Sequence, residues 1–121
     1  MIGIGIDAVE IERFRQVLER RPKMADRLFT DDERAYGARA RDGAPRLAVR
    51  FAAKEAVMKA LGVGVGAFAF RDVEVISAPS GKPSVVLRGR AAALADEQGV
   101  ARWHLSLTHT DDSAHAVAVA L

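Results

Sequence analysis

Ile2, Ile4 and Ile6 alternate with Gly3, Gly5 and Asp7 at the start of the chain. This period of two predicts a strand with one apolar face and a nearly side-chain-free opposite face. Asp7 falls on the glycine side. From Glu10 to Arg21 the period changes, with Ile11, Phe14, Val17 and Leu18 at helical spacing until Pro22 closes the segment. A short helical turn is expected over Met24 to Phe29. Thr30 and Glu33 then have capping-box spacing, and Asp31 and Asp32 suit the positive end of a helix, so a third helix starts there. Its run ends around Arg41 to Ala44, and Pro45 opens the longest expected helix, Pro45 to Leu61.

Gly62, Gly64 and Gly66 end that helix in a glycine-rich loop. Val73 to Ile76 and Val85 to Leu87 read as two strands of a hairpin across Pro79 to Pro83. A helix from about Gly89 to Gln98, stopped by Gly99, leads to two further strands, Trp103 to Thr108 and Ala116 to Leu121, around His109 to Ser113. No internal repeat, low-complexity tract or linker interrupts this order, and 121 residues suit one domain, residues 1–121.

Composition narrows the chemistry. There is no Cys, which removes disulfides, thiolate nucleophiles and Cys-based zinc sites, so any metal has to use oxygen or imidazole. No apolar run approaches the ~18 to 20 residues that span a bilayer, and the start lacks a secretory pattern. A cytoplasmic protein without a membrane partner is expected. Net charge is +2, but six basic residues between Arg13 and Arg27 face only Glu19 and Asp26, a local charge of +4. That stretch is either a docking surface for an acidic partner or a solvated helix face.

Phe51, Glu55 and Lys59 lie four residues apart, on one helix face. The pair of charges reads as an ordinary surface Glu-Lys contact. It also reads, together with Asp7, as two hard oxygen ligands for Mg²⁺, which takes one or two carboxylates and completes its shell with water and phosphate oxygens. The loop Gly62-Val63-Gly64-Val65-Gly66 can turn backbone N–H groups toward an anion, or simply cap the helix. His109 shares the side of Leu105 and Leu107 by alternation, as a structural histidine or as a phosphate or proton-transfer group.

The blocks GIGIDAVEIERF, RFAAKEAVMKALGVGVG, SGKP and WHLSLTHT, in this order and spacing, resemble holo-acyl-carrier-protein synthase from residue 3 to about 120. The resemblance implies the α+β fold of the small 4′-phosphopantetheinyl transferases, a small antiparallel sheet packed with helices, assembled as a homotrimer with active sites between subunits. The implied activity is Mg²⁺-dependent transfer of phosphopantetheine from coenzyme A to a serine of apo acyl carrier protein. Asp7 and Glu55 map onto the metal-binding and catalytic carboxylates.

Lys59, Gly62, Gly64, Gly66, Lys82 and Pro83 map onto coenzyme contacts, and Ser106, Thr108 and His109 onto a coenzyme-facing block from the neighbouring subunit. The family commonly has Thr where this chain has Val63, which bears on coenzyme affinity. Arg13, Val17, Arg20, Lys23, Met24 and Leu28 are the expected carrier-protein surface. For the serine proton, Glu55 acting through a metal-bound water is preferred over His109, since it should lie closer to the metal, and Asp111 is a further alternative.

The competing reading is a non-catalytic module that holds an acidic protein or nucleic acid through Arg13 to Arg27. Aromatics are only 6% and are not interleaved with those basic residues, which argues against base stacking and a nucleic-acid partner.

Overall fold

The structure is a computed structural model that describes residues 1–121. The first strand, β1 (Gly3–Glu10), runs directly into α1 (Ile11–Arg20), followed by α2 (Lys23–Leu28) and α3 (Asp31–Ala38). The long helix α4 (Ala44–Ala60) precedes the glycine loop and a single 3-10 turn, Phe70–Asp72. The hairpin β2 (Val73–Ser77) and β3 (Pro83–Leu87), then α5 (Gly89–Glu97), β4 (Trp103–His109) and β5 (Ser113–Ala120), complete the chain. All five strands pair antiparallel, β1-β5-β4 in one sheet and β2-β3 in the other. The expected α+β architecture is present.

Local chemistry explains most boundaries. Thr30 accepts from the Glu33 amide at 3.2 Å while Glu33 Oε1 accepts from the Thr30 amide at 3.0 Å, a complete capping box. The third helix stops at Ala38, earlier than its pattern implied. Gly43 sits so close to the Gly37 carbonyl (2.9 Å from a Cβ placed there) that the chain turns back at once into α4. At the other end of α4, Gly62 takes φ +73, a left-handed conformation that ends the helix without a Cβ penalty.

The glycine face of β1 is the buried one. A Cβ at Gly3 would meet the Ala60 carbonyl oxygen at 1.9 Å, and one at Gly5 the Ala56 oxygen at 1.9 Å. Ala114, Ala116, Ala118 and Ala120 of β5 share this face and are fully buried, as are Ala52, Ala53 and Ala56 of α4. Small side chains on both surfaces let the helix backbone lie almost on the sheet, where dispersion contacts are dense. The larger side chains fill two flanking clusters. One joins Val57, Met58, Leu61, Phe68, Val73 and Val75; the other joins Ile11, Phe14, Leu28, Phe29 and Val49. The isoleucine face of β1 points outward, with Ile4 58% and Ile6 64% exposed.

Candidate active site

Because β1 presses on α4, residue 7 at the end of the glycine face lands beside the middle of the helix. Asp7, Glu55 and Lys59 line one cleft of about 840 Å³, which continues past Glu10 and Arg13 into an apolar stretch that includes Phe14, Val17, Met24, Leu28, Phe51 and Phe70. Burial, then the like charge of Asp7, hold the Glu55 carboxyl above its ordinary range, while Lys59 pulls it the other way. Lys59 Nζ donates to Asp7 Oδ1 at 3.1 Å and to the Ile6 carbonyl at 3.0 Å. Lys59 therefore bonds across to the strand, and the i, i+4 pair with Glu55 is not formed.

Two carboxylates that repel one another in a half-buried cleft fit a hard divalent cation, whose charge would relieve that repulsion. No third His, Cys, Asp or Glu joins them. A cation there has to draw its remaining ligands from water or from the oxygens of a bound phosphate. The glycine loop hangs at the cleft edge through Val65, which is 72% exposed. The amides of Gly64, Val65 and Gly66 donate no backbone hydrogen bond within the chain. By contrast Gly62 and Val63 donate to Lys59 and Met58 carbonyls at 3.0 Å each, as part of the helix end. The Val63 side chain packs partly against the core.

The chain matches the family model described as the 4′-phosphopantetheinyl transferase superfamily over residues 3–120. It belongs to that superfamily. The holo-[acyl-carrier-protein] synthase of Streptomyces avermitilis is 50% identical over 120 residues, covering 99% of this chain and 97% of that protein. The crystal structure of the Neisseria meningitidis holo-[acyl-carrier-protein] synthase superposes with a TM-score of 0.90 at 33% identity, covering 100% and 98% of the two chains. The Helicobacter pylori enzyme, solved in complex with coenzyme A, does so with a TM-score of 0.86 at 30% identity, covering 98% and 99%.

In this phosphopantetheinyl transferase the remaining expected positions fall in three places. Arg13, Val17, Met24 and Leu28 line the cleft, whereas Arg20 and Lys23 lie outside it on exposed surface. Leu28 forms wall rather than surface, at 7% exposure. Pro83 and His109 line a second recess of about 330 Å³, with exposed Lys82 beside Pro83 on its turn. Ser106 pairs with Val117, and Val117 with Ile6, so Ser106 and, by alternation, Thr108 occupy the outer face of the sheet. His109 has the opposite orientation. The block Ser106, Thr108, His109 is thus divided between two faces, and none of it enters the cleft of its own chain.

The second recess holds groups the sequence pattern did not single out. Arg46 and Arg50 stack on Tyr36 at 4.4 and 4.0 Å from the ring centroid. Arg50 is only 3% exposed, donates to Ser77 Oγ at 3.1 Å, and keeps a buried Nε without a partner. Burial lowers its pKa, opposed by Tyr36 and Glu33. The spacing of Arg46 and Arg50, one turn apart and just before the Lys54-Glu55 block, was the available signal.

No helix is long and apolar enough to cross a membrane.

Proposed function

We propose that this protein, as a single domain spanning residues 1–121, transfers the 4′-phosphopantetheine group of coenzyme A to a serine of an apo acyl carrier protein. The observation that carries this reading is the cleft itself: Asp7, Glu55 and Lys59 at one end, Arg13 and an apolar floor at the other. Carboxylates able to hold a cation for a pyrophosphate, with Lys59 beside them, thus adjoin a surface suited to an acidic, amphipathic protein.

In the reaction the serine oxygen attacks the β-phosphorus of coenzyme A, forming a new P–O bond while the bond to the bridging oxygen breaks and 3′,5′-ADP leaves. Asp7 and Glu55 would hold Mg²⁺, which supplies neutralisation of the pyrophosphate charge when bound. Lys59 adds a mobile point charge to the phosphates. Glu55, acting through a water, is the proposed acceptor of the serine proton, since it lines this cleft whereas His109 opens into the other recess. The free amides of Gly64 to Gly66 approach the coenzyme backbone, and the Arg46-Arg50 pair with His109 takes the phosphate of its nucleotide end.

The exposed Ile2, Ile4 and Ile6 face supports association with further copies, since large apolar patches mark interfaces. A homotrimer would bring outer-face Ser106 and Thr108 toward a neighbour's cleft. The carrier docks on Arg13, Arg20 and Lys23, with Val17, Met24 and Leu28 beneath.

Intact-mass spectrometry of an apo acyl carrier protein incubated with this protein, coenzyme A and Mg²⁺ tests the reaction, beside an EDTA control and a Glu55→Gln variant. A gain of one phosphopantetheine, lost in both controls, is expected. No gain across several carriers, with folded protein, would refute it.

A further inference from the structure

Lys54, next to Glu55, is 0% exposed, so its amino group lies in the core. Burial lowers its pKa, opposed first by Glu33. All three of its donors are used, one on α3 and two on residues 70 to 75. Nζ donates to Glu33 Oε1 at 2.8 Å, to the Phe70 carbonyl at 3.0 Å, and to the Val73 carbonyl. Glu33, 1% exposed, uses its other oxygen to accept from the Val75 amide at 2.9 Å. The pair therefore fastens residues 70 to 75 to α4 and α3.

Those residues are the downstream end of the glycine loop. Its upstream end is fixed by the α4 terminus, through Val63 to Met58 and through Gln98 Nε2 to the Leu61 carbonyl at 2.8 Å. Between the two anchors Gly62, Gly64 and Gly66 touch nothing within 4 Å of a would-be Cβ. Phe70, whose carbonyl Lys54 holds, stacks on Phe51 with centroids 5.5 Å apart and forms part of the cleft wall. Both ends of the loop are thus tied to the helix that carries Glu55 and Lys59, with Phe68, the one buried residue between them, as its core anchor.

We infer that Lys54 is a positioning residue for coenzyme binding: its buried ammonium, with Glu33, sets the height of the glycine loop and Phe70 over the cleft. The inference rests on the function proposed above. A buried ion pair that served stability alone could be replaced by a neutral pair of similar shape with little functional cost. This one grips two backbone carbonyls that no neutral methyl group can hold.

The test is the double variant Lys54→Met/Glu33→Gln, which removes the grip and leaves neither member of the pair charged, beside Glu33→Gln alone, which controls for the loss of the Glu33 charge near Arg50. Ile11→Ala, in the other core cluster and lining neither recess, serves as a control of comparable destabilisation. The double variant should raise KM for coenzyme A about tenfold or more while the carrier KM stays within about twofold. The control should move neither selectively. Hydrogen exchange on the wild-type protein adds a readout that does not depend on the variant folding. Amides of residues 70–75 should exchange slowly without ligand, and those of 63–69 should slow when coenzyme A is added. Exchange at 70–75 as fast as at 63–69 in the free protein overturns the inference, as does a folded double variant with a coenzyme KM within twofold of wild type. Wild-type protein that gives no calorimetric response to coenzyme A overturns the proposed function and this inference together, whereas binding retained unchanged by the double variant overturns the inference alone.

Discussion

Gly5→Ala inserts one methyl group between β1 and α4, the two elements that carry the carboxylates. The new Cβ would lie 1.9 Å from the Ala56 oxygen, 2.8 Å from the Ala60 nitrogen and 2.9 Å from the Ala56 carbonyl carbon, all of them helix backbone. A carbon and a carbonyl oxygen approach no closer than about 3.3 Å, so strand and helix must separate by roughly 1.4 Å. Helix backbone cannot rotate out of the way as a side chain would. The cost belongs at the upper end of the overpacking range, about 3 kcal/mol, which corresponds to a loss of roughly 12 °C in Tm for a domain of this size. Asp7 is two residues from the clash on the strand, and Glu55 adjoins Ala56 on the helix. A displacement of order 1 Å between them should lower the transfer rate by about a hundredfold, beyond any loss of folded protein. Circular dichroism melting gives the first number, and time-resolved intact-mass measurement of carrier modification below Tm gives the second. A Gly5→Ala protein that melts within about 2 °C of wild type and keeps more than half its rate would refute the claim that this contact sets the carboxylate spacing.

Gly64→Ala is the complementary substitution, since nothing lies within 4 Å of its Cβ and its φ is not positive. Stability should change by less than about 0.5 kcal/mol in urea unfolding, while coenzyme KM rises several-fold; an unchanged KM would remove the loop backbone from the binding site. For Glu55, whose carboxyl is raised in the folded state, the protonated form is favoured by folding, so its contribution is present below about 4.5 and is lost as pH rises through the higher folded value. Glu55→Gln should therefore gain Tm relative to wild type between pH 4 and pH 8, checked by melting without metal; a pH-independent difference would contradict the strain that burial and then Asp7 place on the Glu55 carboxylate. Added Mg²⁺ should raise the wild-type Tm and leave Glu55→Gln unchanged. Arg13→Glu should raise the carrier KM roughly 5- to 10-fold and flatten its salt dependence with coenzyme binding intact; equal loss of both would show that Arg13 does not act through docking.

Much of this architecture was legible in one dimension because the signals are local. Alternation of isoleucine and glycine specified β1 and put Asp7 on its small face, the Thr30-Glu33 spacing specified the start of α3, and Gly62 ended α4. The Asp7-Glu55 pairing was also reachable, because each residue lies on an identifiable face of its own element. Periodicity states which residues share a face, but not what that face meets. Only the tertiary structure decided that the glycine side of β1 is buried while its isoleucines are exposed, because α4 approaches so closely at Gly3 and Gly5 that a Cβ there would strike its carbonyls. That contact, between residues some fifty positions apart, turned Lys59 toward Asp7 and away from Glu55. Contacts with α3 and β2 buried Lys54, where the sequence shows only a lysine beside a glutamate. A helix advances by 100° per residue, so neighbours in the chain face opposite environments, and the packing of the whole fold assigns Lys54 to the core and Glu55 to the cleft.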